Sequence, residues 1–130
     1  MRYLLDTHTL LWFFDDSPEL PASITETIED NDVHKYISVA SLWEFTIKHS
    51  MGKIEFEGGI KAFWYMAIAN NITVLQVNES HLSVLEHLPL LHRDPFDRLI
   101  TASAMAEDMT ILTADSNIQQ YNVRWVWKVR

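Results

Sequence analysis

Four acidic residues stand where short apolar runs stop. Asp6 follows Tyr3-Leu4-Leu5, Glu44 comes soon after Tyr36-Ile37-Ser38-Val39, Asp97 lies inside Asp94-Pro95-Phe96-Asp97-Arg98, and Asp115 follows Ile111-Leu112-Thr113. If the apolar runs are neighbouring parallel strands, carboxylates from distant parts of the chain converge on one cleft. Such a group repels itself, because like charges a few ångströms apart cannot all stay ionised without raised pKa values or cations between them. Divalent cations are the remedy, and a donor set made only of oxygens suits Mg²⁺ or Mn²⁺ better than zinc. Ions held this way acidify a bound water and stabilise charge on a phosphodiester under attack. A carboxylate left partly free can accept the water's proton.

Each acid also has a local structural reading. Ser41-Leu42-Trp43-Glu44 fits a capping box, with Glu44 bonding back to the Ser41 amide, and Glu44 to Lys48 is a favourable i,i+4 pair. Asp94-Pro95-Phe96-Asp97 has an N-cap residue, proline at the first helical position and an acid two residues on, all favoured at a helix start. Asp6 and Asp115 could cap the helices that follow them. The joint arrangement favours ligation, because caps need no particular relation to a sheet whereas metal ligands must converge from separate strand ends. Leu5-Asp6 is the sharpest case: a carboxylate directly after a buried strand is costly to ionise unless paired, and Thr7, His8 and Thr9 offer no evident cation.

The elements that would position these residues follow from periodicity. Strands are expected at 2–5, 36–39, 73–77 and 110–113, with a final edge strand at 124–129. Helices are expected at 9–14, 21–30, 41–50, 60–69, 79–88, 95–106 and, as a short piece, 116–121. Strands alternating with helices of about ten residues imply βαβ crossovers. The fold class is therefore α/β, a three-layer α/β/α sandwich with a mainly parallel sheet of four or five strands. In such sheets ligands sit beyond the carboxyl ends of the strands, where strand order reverses. Ala102, Ala104 and Ala106 make the Asp97 helix slim, as close helix-to-sheet packing requires. Trp43 and Phe96 are read as core. Trp12-Phe13-Phe14 and Phe63-Trp64-Tyr65 point around most of a helix circumference and leave a surface for a partner.

Bulk properties exclude several classes. At 130 residues the chain has the size of one domain, 1–130, and with 48% hydrophobic and 22% charged residues it is an ordinary globular sequence. It has no cysteine, so disulfides and thiolate metal sites are excluded and a reducing cytoplasm fits. Asp6 and His8 interrupt the only candidate for a leader, and no apolar run is long enough to cross a membrane. The formal net charge of −8 argues against bulk electrostatic binding of nucleic acid. Carboxylates neutralised locally by cations escape that argument, and Arg93, Arg98, Lys48 and Lys53 are candidates for flanking phosphate contacts. The six histidines lack paired ligand spacing, and neither a glycine-rich phosphate loop nor a Ser or Cys nucleophile motif is present.

The stretches Tyr3-Leu4-Leu5-Asp6-Thr7-His8-Thr9-Leu10-Leu11-Trp12, Ser38-Val39-Ala40-Ser41-Leu42-Trp43-Glu44, His92-Arg93-Asp94-Pro95-Phe96-Asp97-Arg98-Leu99-Ile100 and Leu112-Thr113-Ala114-Asp115 resemble the PIN-domain family, in particular its VapC-type toxin ribonucleases. The resemblance covers essentially the whole chain. It implies that Asp6, Glu44, Asp97 and Asp115 hold Mg²⁺ or Mn²⁺ and cleave single-stranded RNA, leaving a 5′ phosphate and a 3′ hydroxyl. Thr113 matches a hydroxyl position bordering the family's site, Thr7 lies beside Asp6, and Asn117 stands where some members carry a further acid. The resemblance also implies an antitoxin partner and a homodimer that pairs with it. Two other functions fit the same residues: a noncatalytic PIN-fold module that binds RNA or protein, and a housekeeping PIN ribonuclease of RNA maturation or decay.

Overall fold

The computed structural model describes residues 1–128. Element order is β1 (Arg2–Leu5), α1 (Thr7–Phe14), α2 (Ala22–Glu29), β2 (His34–Ser38), α3 (Val39–Ser50), α4 (Gly59–Ala69), β3 (Ile72–Leu75), α5 (Glu79–His87), α6 (Pro95–Glu107), β4 (Thr110–Leu112), α7 (Ser116–Gln119) and β5 (Trp125–Val126). The five strands form one sheet in the order β3-β2-β1-β4-β5, and every pairing is parallel. Order runs outward from β1 through β2 to β3 in one direction and through β4 to β5 in the other. The reversal point therefore lies at the carboxyl ends of β1 and β4, where Asp6 and Asp115 follow.

The two-residue period of a strand sends alternate side chains to opposite faces, and the core divides accordingly. Leu5, Ile37 and Leu112 face a cluster with Leu10, Ile24, Ile28, Phe45 and Phe63, which belong to α1 to α4. Their neighbours Leu4 and Ile111 face the other way, onto Ile100 and Ala104 of α6 and Ile118 of α7. Burial on both faces of the sheet makes three layers. Ala102 and Ala104 are fully buried on α6, which allows its close approach. In the first cluster Phe63 stacks on Phe45 at 4.1 Å between ring centroids and meets Phe14 and Phe56 edge-on. Gly58, at φ 87°, opens α4 in a left-handed conformation, and a Cβ there would stand 2.6 Å from that of Ala62. Lys35 is buried with its ammonium spent on the carbonyls of Ile28 and Asp30, which closes the end of α2.

Several boundaries differ from the sequence reading, and the differences have causes. Helix α3 begins at Val39 because Ser38, the last residue of β2, is its N-cap and accepts from the Ala40 amide. Ser41 therefore sits inside the helix, and Glu44 lies beyond its first turn rather than in a capping box. The strand expected at 73–77 is Ile72–Leu75, and the one expected at 124–129 is Trp125–Val126, with Val129 outside the described residues. Trp43 is not core: it is 61% exposed and packs edge-on against the partly buried Phe96, with centroids 5.1 Å apart. Leu42 and Phe45 take the buried stripe of α3 instead.

Candidate metal centre

The carboxyl edge of the sheet gathers the acids from four elements. Asp6 ends β1 and is buried. As N-cap of α1 its Oδ1 accepts from the Thr9 amide at 2.8 Å, while Oδ2 accepts a short hydrogen bond from the Thr113 hydroxyl. Burial raises the Asp6 carboxyl above its ordinary value, against the pull of the bonds from Thr113 and Thr9. Thr113 also ties the two strand ends together, since its Oγ1 accepts from the Asp115 amide at 3.0 Å. Asp115 in turn caps α7 through the Asn117 amide, and the Asn117 side chain is exposed.

Glu44 is only 3% exposed and projects from the second turn of α3. Thr7 donates to its Oε1 at 2.6 Å and Lys48 to its Oε2 at 2.8 Å. The expected i,i+4 pair is thus present, but it belongs to the acidic cluster rather than to a solvated helix face. Burial pulls the Lys48 ammonium down, and the bond to Glu44 together with the fields of Glu44, Asp94 and Asp97 more than restores it.

Helix α6 brings the other two acids. Asp94 is its N-cap, with Oδ1 accepting from the amides of Phe96 and Asp97. Asp94 nevertheless does more than cap: Glu44, Asp94 and Asp97 each offer an oxygen, all within 4.8 Å of one another. Local rules favour Asp94 as the N-cap over a ligand role, and the Asp-Pro-Phe-Asp spacing that identifies the cap also places the second acid beside it. Asp97 is pushed up to about 8, first by burial and then by the charges of Asp94, Asp115, Glu44 and Asp6. Those four neighbours bring every sequence-selected acid within electrostatic reach of Asp97. Asp6 and Asp115 flank the three-acid group rather than joining it, and line a crevice of about 270 Å³ with His8, Trp12 and Ala114.

The arrangement fits a divalent cation. The donors are all carboxylate oxygens, and burial together with four neighbouring acids displaces one of them, Asp97, toward neutrality, a cost that a bound cation would relieve. Among the described residues Lys48 is the one lysine or arginine side chain hydrogen-bonded to the cluster. Arg98, expected to reach phosphate, spends its guanidinium on the carbonyls of Leu88 and Pro89 and on the Tyr121 hydroxyl. Arg93 and Lys53 are exposed. His92 is a neighbour that spacing did not single out: its Nε2 lies 3.5 Å from Asp97 Oδ2.

The sequence matches the PIN domain family over residues 3–124. The chain belongs to the PIN-domain family. Among solved structures, this PIN domain superposes with TM-score 0.75 at 16% identity on a chain of VapBC2 from Rickettsia felis bound to a promoter DNA fragment, covering 97% of this chain and 98% of that one. VapBC-1 from nontypeable Haemophilus influenzae gives 0.69 at 20% identity with 97% of each chain covered. DNA-bound VapBC from Salmonella typhimurium gives 0.68 at 15% identity, again with 97% of each. No curated protein matches significantly. At these identities the superpositions establish a shared fold, and the PIN domain's own residues must carry any statement about its chemistry.

Proposed function

We propose that this PIN domain is a Mg²⁺- or Mn²⁺-dependent endoribonuclease that cleaves single-stranded RNA, and that it is the toxin of a type II toxin-antitoxin pair acting in the cytoplasm. PIN domains are generally nucleases, and the three structures superposed above come from VapBC assemblies. The observation that carries the reading is the convergence of Asp6, Glu44, Asp94 and Asp115 on Asp97, whose carboxyl group is pushed up to about 8 by burial first and by those four acids second. Glu44, Asp94 and Asp97 would hold the ion, with Asp6 and Asp115 completing the opposite wall of the crevice. The ion supplies an acidified water and neutralises charge on the scissile phosphodiester.

The chain's own residues do the rest. Thr7 and Lys48 fix the two oxygens of Glu44, and Thr113 fixes Asp6, so the first-formed geometry needs little rearrangement. Asp115 is free of any cation partner among the described residues and stands at the crevice, where it can accept the proton of an attacking water. Exposed Arg93 and Lys53 are left to meet flanking phosphates. His8 and Trp12 line the same crevice and offer ring faces to an unstacked base.

The antitoxin has a face to cover. Ile60, Trp64, Tyr65 and Ile68 of α4 line an apolar groove of about 450 Å³, and Trp64 also lines a second groove with Val39, Leu42 and Trp43 on α3. Trp43 touches Phe96, the residue before Asp97, so one apolar track leads from α4 to the acids. Among the described residues no helix is long and apolar enough to span a membrane, and a protein partner accounts for the track better than lipid does.

Sequencing RNA ends after pulsed expression of the wild-type protein and Asp6→Ala tests the activity. New ends with 5′ phosphates in the wild type alone support the reading. Equal end profiles, with purified wild-type protein binding RNA but leaving it intact in Mn²⁺, would replace it with a noncatalytic binding module. A neighbouring reading frame for a DNA-binding antitoxin separates a toxin from a housekeeping nuclease. Trp64→Glu should abolish copurification with that antitoxin, and loss of self-association instead would assign the track to a second copy of the chain.

A further inference from the structure

The hydroxyl of Tyr121 is a junction of three polar groups. It lies 3.0 Å from Arg98 Nη1, 3.3 Å from the His92 amide nitrogen and 2.8 Å from His92 Nδ1. The first two can only donate: a guanidinium has no acceptor, and neither has a backbone amide. A phenolic oxygen accepts two hydrogen bonds and donates one, so both acceptor positions are taken and the single hydroxyl proton goes to His92 Nδ1. Nδ1 then carries no proton of its own, and the imidazole proton sits on Nε2. That nitrogen is buried, has no hydrogen-bond partner and lies 3.5 Å from Asp97 Oδ2.

We propose that His92 is a positioning residue for Asp97, fixed as its Nε2–H tautomer by Tyr121 and Arg98 so that a proton donor faces Oδ2 of that carboxylate. The inference rests on the metal-centre reading above and extends it to residues that touch no ion. A donor at Oδ2 restricts the rotamer of Asp97, the residue that offers an oxygen beside those of Glu44 and Asp94. Such a donor also favours the ionised carboxylate, the form a cation requires. Arg98 thus acts three bonds away: by filling one lone pair of Tyr121 it forces the hydroxyl proton toward the imidazole. Tyr121 is buried and its ring lies against that of His92, with centroids 5.4 Å apart, so the ring is held even before the hydrogen bonds are counted.

Two measurements on the full chain test this. Long-range ¹H–¹⁵N correlation at pH 7.5, with His92 assigned through His92→Gln, reads the tautomer directly in the wild type. An unprotonated Nδ1 is expected, and a protonated Nδ1 overturns the proposal. Calorimetric titration with Mn²⁺ reads the consequence: His92→Ala should weaken binding about tenfold, in the range found for residues that orient metal ligands. His92→Gln, whose amide can donate from nearly the same place, should recover most of that loss, which a merely space-filling role would not produce. Tyr121→Phe should keep the fold and give mixed tautomers. Equal Mn²⁺ affinity in the wild type and a folded His92→Ala refutes the positioning role while leaving the metal centre standing. Failure of the wild type to bind Mn²⁺ refutes the metal centre itself, and the tautomer spectrum still reports on the Tyr121 junction.

Discussion

Asp97→Asn should stabilise the metal-free protein and destabilise the metal-loaded one relative to wild type. In the native state the Asp97 carboxyl is pushed up to about 8 from an ordinary value of 3.8, by burial first and by four neighbouring acids second. Between those two values the unfolded chain has released the proton and the native protein still holds it. Stability is therefore complete below the ordinary value, falls as pH rises, and levels off above about 8. Each pH unit of displacement corresponds to ~1.4 kcal/mol, so an isolated group would forfeit roughly 6 kcal/mol. Asp97 is not isolated: the acids share their repulsion, proton uptake by one relieves the others, and a single neutralisation should recover about 2 kcal/mol. Against this stands the loss of a negative charge in the first turn of α6, roughly 0.3–1 kcal/mol. No cap is lost, because Asp94 supplies it. Urea titration in EDTA at pH 8 should place Asp97→Asn about 1–2 kcal/mol above wild type, a midpoint roughly 0.5–1 M higher for ordinary slopes. The gap should close toward pH 4. With Mn²⁺ at about 100 times its dissociation constant, wild type gains ~2.7 kcal/mol and the order reverses. A variant less stable than wild type in EDTA at pH 8, or a gap that ignores pH, refutes the account of Asp97.

Three further substitutions separate the parts of the cluster. Thr113→Val deletes the donor to buried Asp6, and should cost about 1–3 kcal/mol and weaken Mn²⁺ binding by leaving Asp6 more readily protonated; calorimetry showing unchanged affinity would count against Asp6 as part of the centre. Lys48→Met leaves Glu44 Oε2 unpaired, so metal-free stability should drop by about 1–3 kcal/mol and Mn²⁺ affinity should fall with the loss of the group that fixes that oxygen; a rise in affinity would show that Lys48 competes with the cation rather than positioning Glu44. Glu107→Gln perturbs the opposite end of α6, where the carboxylate meets buried His81 at 2.6 Å and the hydrogen bond from His81, then Arg2, holds Glu107 below its ordinary value. A depressed carboxylate stabilises at high pH and loses that contribution as pH falls through its folded value. Glu107→Gln should therefore cost about 1 kcal/mol near neutrality, converge with wild type in acid, and leave Mn²⁺ titrations unchanged.

The periodicities located every strand and helix of the described chain to within a few residues, because each apolar run ends at a proline, a glycine or a polar cluster. Strand order is another matter. That β1 lies between β2 and β4 depends on which faces pack together, and no local signal in Leu4-Leu5 or Ile111-Leu112 states it. The reading of Glu44 shows how local rules compete. Ser38 and Ser41 are both good caps three residues apart, and the end of β2 decides for Ser38, which moves Glu44 from the helix start to the cluster. Trp43 occupied an apolar helical position, yet the sheet takes Leu42 and Phe45 and leaves the indole outside. Arg98 looked available for phosphate because Leu88, Pro89 and Tyr121, its partners, are remote from it in pattern if not in space.

Cap and ligand are not rival roles for these carboxylates. Asp6, Asp94 and Asp115 each give Oδ1 to amides at the start of α1, α6 and α7. Among the described residues the other oxygen of Asp94 and of Asp115 has no hydrogen-bond partner, and that of Asp6 has only Thr113. A capped carboxylate has its rotamer fixed by the helix it starts, so the remaining oxygen is aimed without further support. The helix N-terminus also places partial positive charge behind the acid, which lowers the cost of gathering several acids before any cation arrives. The oxygens of Glu44 and Asp97 cap nothing, although Asp97 keeps the favourable field of the first turn of α6. Glu44 is held instead by Thr7 and Lys48, whereas Asp97 has His92 Nε2 at 3.5 Å and four acids within electrostatic reach, so burial first and their charges second push its carboxyl toward the neutral form. Because the Asp97 carboxyl is pushed up to about 8, a bound cation must displace its proton at neutral pH, and folding stability and metal affinity are exchanged directly at that residue.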